Sequence, residues 1–306
     1  MDLHKAEKWL RVSDYLPRRY PLRRNDANLS AQPYFIVGSG RNGSTMFSAM
    51  LDSHPDLLLP TEQWRFPNII LKYKLYNYLP WKELVSILIG EIAATNASLN
   101  WNVNFNDTLA HLQYLEPGKR TLQEIINRIY LAYGNENHRN FKRWGEKSPK
   151  NMPFTPLIHQ VFPKASYIFL IRDGRDVARS WLIKNESKDL KWIAESWNQS
   201  IEMYQWLQKV LPPDQLLMVK YEDLVAETEK SLTKVGDFLE VGYHPNMTSF
   251  QSFAERIDDR YIKHFEKLKT KANTSSIGKW EEYFKDRERD KIHLIIGKNL
   301  KAFGYD

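Results

Sequence analysis

The segment Tyr34-Phe35-Ile36-Val37-Gly38, continued by Ser39-Gly40-Arg41-Asn42-Gly43-Ser44-Thr45, constrains this chain more than any other. Four apolar, β-favouring residues between Pro33 and Gly38 predict a buried strand. Met46, Phe47, Met50 and Leu51 then recur at helical spacing until Ser53, where His54-Pro55 stops the run. A strand that feeds a glycine-rich turn opening a helix presents unpaired backbone N–H groups and the positive end of the helix dipole to an anion. Gly38 and Gly43 have the G-x-x-x-x-G spacing of a nucleotide phosphate loop, but Ser44 stands where such a loop carries lysine. That argues against an ordinary ATPase or GTPase. Arg41 inside the turn and the hydroxyls of Ser44 and Thr45 suit a ligand whose anionic end is gripped from the side. The plain alternative is a tight strand-to-helix turn with no ligand.

The run Tyr167-Ile168-Phe169-Leu170-Ile171 predicts a second buried strand, and Arg172-Asp173-Gly174-Arg175-Asp176 turns it into a helix beginning near Val177. Arg172 at the strand end and Ser180 in the first turns of the helix can address one phosphate. The alternative for the charged residues here is a solvated ion-pair cluster. Further strands are expected at 57–59 and 216–220, helices at 82–94, 121–133 and 189–210, and a mostly helical stretch over 228–306. Strands alternating with helices predict an α/β fold, a central parallel sheet with helices on both faces. No linker or repeat interrupts it, so residues 34–306 are expected to form a single domain, after an extension over 1–33 and with a helical insertion over 64–143.

With 42% hydrophobic and 13% aromatic residues the chain can bury a sizeable core, and with no cysteine it has no disulfide scaffold, thiol nucleophile or thiolate zinc site. The formal charge of +7 favours anionic ligands weakly, and the basic residues alternate with acids in place of the tail or stripe that nucleic acid selects. The eight histidines include no pair spaced for a metal on one helix face, so no metal is expected. The first residues have charges every few positions and no apolar core of a signal peptide, and the apolar runs are too short to span a bilayer. The expectation is a soluble, cytoplasmic protein without membrane contact, with self-association left open. Eight N-x-S/T sequons carry no weight in that setting, and the one at Asn42 lies within the glycine turn.

Four segments in order, FIVGSGRNGSTMFSAMLDSHPD with TEQWRFP after it, WGEKSP, YIFLIRDGRDVARSW and VKYEDL, carry a family resemblance. A GKW at Trp280 and the closing LKAFGYD add to it. The chain resembles sulfotransferases that use 3'-phosphoadenosine 5'-phosphosulfate, in the branch that includes protein-tyrosine sulfotransferases and bacterial small-molecule enzymes. The resemblance implies a P-loop-like sulfotransferase fold in which Gly40, Arg41, Asn42, Gly43, Ser44 and Thr45 hold the 5'-phosphosulfate and Arg172 and Ser180 hold the 3'-phosphate. It implies Glu62 as the general base, Lys147 as a cation on the phosphosulfate, Tyr221 beside the adenine, and closing phosphate contacts from Ser275 to Lys279, Ser276 and Lys279 among them. The paired cysteines and signal anchor of the secreted tyrosine-sulfating enzymes are missing, so the acceptor expected is a small molecule or natural product and not a protein tyrosine.

Sulfuryl transfer moves an SO3-like unit in line from a phosphate to an acceptor oxygen or nitrogen, so catalysis rests on positioning and on neutralising the leaving phosphate. Arg41, Lys147 and the turn N–H groups supply fixed donors, and Glu62 takes the proton of the acceptor hydroxyl. His54 and His159 are substitute bases, and His54 reads better as part of a helix stop. Trp64, Phe66, Tyr73, Tyr76, Trp81 and Trp101 either wall an acceptor pocket, capped by the insertion, or form core. The acceptor group is expected to be a hydroxyl, with an amine second. The other functions weighed are sulfation of a glycan or peptide tyrosine, a P-loop kinase for a nucleotide or small molecule, and a noncatalytic nucleotide-binding module.

Overall fold

The computed structural model describes residues 18–24, 29–62, 66–96, 101, 103–187, 189–251 and 271–305. The strands are β1 (Gln32–Val37), β2 (Leu57–Leu58), β3 (Arg143–Lys147), β4 (Ser166–Ile171) and β5 (Leu216–Lys220), in the order β2-β3-β1-β4-β5. The helices are α1 (Ser44–Asp52), α2 (Phe66–Tyr76), α3 (Trp81–Asn96), α4 (Asn106–Gln113), α5 (Leu122–Glu136), α6 (Thr155–Val161), α7 (Gly174–Ile183), α8 (Leu190–Val210), α9 (Tyr221–Ala226), α10 (Thr228–Phe238), α11 (Trp280–Tyr283) and α12 (Asp286–Ala302). The architecture is the expected parallel sheet with helices around it. Its contacts divide the chain into two compact units, one of residues 1–34 and 55–165, the other of 35–54 and 166–306.

In the first unit β2 pairs parallel to β3 in the register Leu57↔Arg143 and Leu58↔Trp144. The sequence reading expected no strand between 59 and 167, and the structure adds one. Arg143–Lys147 is a strand buried at every position. Its signal was hidden because Arg143, Glu146 and Lys147 are polar, so neither alternation nor an apolar run marks it. Aromatic packing carries the strand: Trp144 stacks on Tyr130 of α5 with ring centroids 4.0 Å apart, and Trp101 meets the edge of Tyr130 at 5.5 Å. Among the described residues the α-helices between β2 and β3 are α2 to α5, with α3 (81–96) over the helix expected at 82–94 and α5 (122–136) over the one expected at 121–133. Phe66, Tyr73, Trp81 and Trp101 are buried and Tyr76 is exposed, so most of these aromatics are core. Trp64 lies outside the described residues, as do residues 1–17 of the N-terminal extension.

In the second unit β4 pairs parallel to β5 from Tyr167↔Leu216 to Ile171↔Lys220. Every residue of β4 is buried, as its apolar run predicts. The helix expected from Val177 starts three residues earlier, at Gly174, because Asp173 is its N-cap: its carboxylate accepts the Arg175 N–H at 2.8 Å. Strand β1 likewise starts at Gln32, ahead of the expected Tyr34. The expected helical C-terminal stretch is seen in α10 to α12, with 252–270 outside the described residues. No described helix is long and apolar enough to cross a membrane.

The end of β1 is fixed against β4 by Gly38. A Cβ built there would lie 2.3 Å from the Leu170 carbonyl oxygen, a backbone atom with no freedom to retreat. Gly38→Ala is therefore expected to destabilise the protein by about 1–3 kcal/mol. Gly90→Ala, on the exposed face of α3 with nothing within 4 Å of a new Cβ, is expected to stabilise it by about 0.5–1 kcal/mol. Chemical denaturation of the two variants beside the parent checks the pair. Equal effects would show that the β1–β4 approach is looser than described.

Candidate functional site

The glycine turn of the second unit is built from inside. Asn42 is buried, and its Nδ2 donates to the Leu170 carbonyl at 2.8 Å while its Oδ1 accepts the Ser44 N–H at 3.2 Å. The side chain expected to meet a ligand thus shapes the turn from beneath. Gly43 caps α1 with φ 90°, and a Cβ there would lie 2.4 Å from the Tyr221 ring, so the residue must be glycine on both counts. Gly40 passes over Trp181 of α7, whose ring would lie 2.8 Å from a Cβ. Arg41 reaches across to α7, where its Nε donates to Ser180 Oγ at 3.3 Å and its Nη1 meets Glu186 at 3.3 Å. Ser44 and Thr45 form the first turn of α1, Ser44 buried and Thr45 half-buried.

Arg172 follows β4 and is buried. Its Nη1 donates to the Arg41 carbonyl at 3.4 Å and its Nη2 to the Ser276 carbonyl at 2.6 Å. Its guanidinium lies over the Tyr221 ring, 4.4 Å from the centroid. Its Nε, also buried, has no hydrogen-bond partner among the described residues. Of the residues named from sequence, Arg41, Ser276 and Tyr221 meet the Arg172 guanidinium, Ser180 meets Arg41, and Gly43 packs on Tyr221.

Sequence reasoning missed Asp176. That carboxylate is 1% exposed, stands 3.9 Å from Arg172 Nη2, and accepts the N–H groups of Gly278 at 2.8 Å and Trp280 at 3.0 Å, so it holds the 276–280 turn to the start of α7. Burial pushes its carboxyl pKa up, against the opposing pull of Arg172 and the two N–H groups. The sequence signal was the second acid of Arg172-Asp173-Gly174-Arg175-Asp176, read only as a charge cluster. Glu222, also missed, accepts the Asp173 N–H and the Tyr305 hydroxyl, both at 3.0 Å. Lys279 turns away from this group into an exposed pair with Glu282 at 3.3 Å.

In the first unit Glu62, just past β2, forms an ion pair with Lys147 at the end of β3. Trp101 Nε1 donates to the Thr61 carbonyl at 2.8 Å and so fixes the residue before Glu62. Behind Lys147, Glu146 is 1% exposed, bonded to the Tyr130 hydroxyl and to Asn151 Nδ2 at 2.8 Å. Burial pushes the Glu146 pKa up to about 8. Of the two substitute bases, His54 is buried against the His244 ring, and His159 is on α6, its pKa lowered by burial and by Arg23. No group of three or more His, Asp or Glu side chains among the described residues is arranged to hold a metal ion.

Two clusters therefore exist: a glycine-lined cradle rich in guanidinium and turn N–H groups, suited to a polyanion, and a carboxylate–ammonium pair suited to accepting a proton beside a cation. The chain is similar in structure to the sulfotransferase domain of the Synechococcus PCC 7002 olefin synthase, with TM-score 0.61 and 20% identity over 92% of this chain and 98% of that one. It is also similar to the sulfotransferase domain from the curacin biosynthetic pathway, with TM-score 0.57 and 18% identity over 89% of this chain and 99% of that one. Both likenesses establish the fold. In sequence it is 24% identical over 290 residues to the protein-tyrosine sulfotransferase of Drosophila melanogaster, covering 89% of this chain and 51% of that protein, so it spans about half the fly relative's length. It is 23% identical to protein-tyrosine sulfotransferase 1 of Danio rerio, over 89% of this chain and 72% of that protein. The profile of the sulfotransferase family matches residues 33–245, the stretch that holds the glycine turn, Glu62, Lys147 and Arg172, and the chain belongs to that family.

Proposed function

We propose that the protein transfers a sulfuryl group from 3'-phosphoadenosine 5'-phosphosulfate to the hydroxyl of a small molecule. The observation that carries this reading is Arg172, a buried guanidinium whose Nε lacks a partner among the described residues, set beside a glycine turn that admits no side chain at Gly43. A buried donor without an acceptor is costly, and a phosphate oxygen satisfies it. The residues fit the donor: Arg172 and Ser180 would hold its 3'-phosphate, Arg41 and the N–H groups of Gly43, Ser44 and Thr45 its 5'-phosphosulfate, and Tyr221 its base. When bound, that nucleotide supplies the sulfuryl group and leaves as the bisphosphate. Lys147 contributes a cation and Glu62 the base that takes the acceptor's proton.

Ser44 in place of the phosphate-loop lysine, with the family match, sets this reading above a kinase. Retention of both Glu62 and Lys147 sets it above a noncatalytic binder. We assign acceptor choice to the helical segment between β2 and β3. The small-molecule acceptor rests on the absence of cysteine, the feature that separates this chain from the secreted tyrosine-sulfating enzymes it resembles.

Incubation with the donor and a panel of phenols, alcohols, amines, sugars and tyrosine peptides, followed by product mass and release of the bisphosphate nucleotide, tests the assignment. Sulfation of the peptides alone would overturn the acceptor class, and no transfer to any acceptor would overturn the reaction. Arg172→Ala is expected to weaken binding of adenosine 3',5'-bisphosphate by about 10- to 100-fold in calorimetry, with a far smaller effect on ATP. Equal losses for the two nucleotides would remove Arg172 from the 3'-phosphate. Glu62→Gln is expected to lower kcat by about 100-fold while the bisphosphate binds within about twofold of the parent. A kcat near the parent's would exclude Glu62 as the base.

A further inference from the structure

Glu146 is the buried acid of the first unit that this mechanism leaves unused. It adjoins Lys147 on β3, and because consecutive strand residues face opposite ways, Lys147 meets Glu62 while Glu146 turns inward. Its two hydrogen-bond partners are neutral: the Tyr130 hydroxyl from α5 and Asn151 Nδ2 from the turn after β3. The charged groups that act on it are Glu62, which disfavours its ionisation, and Lys147, which favours it. Tyr130 is itself wedged between Trp144 and Trp101, and Trp101 holds the carbonyl of Thr61. One packed assembly thus touches both ends of the Glu62–Lys147 pair.

We propose that Glu146 is a positioning residue that holds its proton in the working enzyme, so that the Lys147 ammonium faces the single carboxylate of Glu62. The inference rests on the proposed roles of Glu62 and Lys147. Burial is the dominant cause of its raised pKa of about 8. Below that pH the carboxyl is neutral in the fold; its contribution to stability is complete below the ordinary carboxyl pKa of 4.5 and declines as pH rises from there toward 8. As pH rises through about 8, the proton goes to solvent and a second carboxylate competes for Lys147. Lys147 is then divided between two anions, and its hold on Glu62 and on a substrate oxyanion weakens together.

The test is a pH profile of sulfuryl transfer from pH 5.5 to 9.5 with the parent, Glu146→Gln, Glu146→Ala and Tyr130→Phe. The parent is expected to lose kcat above an apparent pKa near 8. Glu146→Ala is expected to lower kcat by about tenfold or more at neutral pH with KM for the donor little changed. Glu146→Gln, an uncharged mimic of the protonated acid, is expected to restore most of that loss and to lack the alkaline fall. Tyr130→Phe removes a hydrogen bond that favours the ionised form, so its alkaline fall moves to higher pH and gives a second reading should the Glu146 variants fail to fold. An alkaline fall shared unchanged by parent and Glu146→Gln, or unmoved in Tyr130→Phe, overturns the inference and leaves the function intact. A parent that transfers nothing at any pH overturns the functional reading, and the positioning role with it.

Discussion

A guanidinium taken out of water at the end of β4 organises the second unit. Burying Arg172 is unfavourable unless its donors and charge are met, and three segments distant in sequence, with Asp176 one helical turn on, meet all of them but Nε. The carbonyl of Arg41 and that of Ser276 accept its terminal N–H groups, Asp176 stands within 3.9 Å, and the Tyr221 ring covers its face. Asp176 in turn ties down the backbone of Gly278 and Trp280, and Trp197 Nε1 donates to the Arg172 carbonyl at 2.9 Å. The cradle is therefore a consequence of solvating one cation with protein. Its geometry is set by contacts within the protein, which is what preorganised stabilisation of the proposed donor requires.

The first unit solves the complementary problem, a polar strand inside an apolar layer. Arg143, Glu146 and Lys147 are all buried on β3, and aromatic rings fill the space that aliphatic side chains occupy in an ordinary interior strand. Trp144 Nε1 donates to Asn127 at 3.0 Å, Tyr130 bonds Glu146, and Gly145 admits the Tyr34 ring, 2.4 Å from where a Cβ would stand. Rings with one polar atom each can both pack and hydrogen-bond, so the strand keeps its ionisable groups without leaving them bare. Under the proposed mechanism, contacts that fix Glu62 and Lys147 are what taking a proton at a defined place requires.

How much of this was legible follows from the physics of each signal. Tyr167–Ile171 was found because a buried parallel strand reads as an apolar run, Leu216–Lys220 because it too is an apolar run although only Val219 of it is buried, and the glycine turn because its spacing is tied to backbone geometry. Arg143–Lys147 was missed as a strand because burial there is achieved by aromatic partners far along the chain, which no local window sees. Asp176 was missed for a related reason: two N–H groups more than a hundred residues away define its role. Asn42 was read as a ligand contact, yet its side chain supports the turn from below, since only coordinates separate the outward backbone from the inward amide. The helix at Gly174 began early because the capping acid Asp173 outweighed the apolar periodicity used to place it.

At the tip of the turn the backbone runs against the side chain it carries. Arg41 has φ 64°, a left-handed conformation that costs a non-glycine residue roughly 1–2 kcal/mol. Glycine would remove that cost, as it does at Gly43, but it would also remove the guanidinium that reaches Ser180 and Glu186. A lysine at the position of Ser44 would place its cation on the first turn of α1, where an unstrained helical backbone carries it. This chain instead puts the cation on the strained tip and directs it toward α7, so the charge approaches from the Ser180 side. A strained residue persists where the surrounding structure fixes it, and here the fixing contact is the bond from Arg172 to the Arg41 carbonyl. The two arginines are thus mechanically coupled: the buried one holds the backbone from which the half-buried one projects.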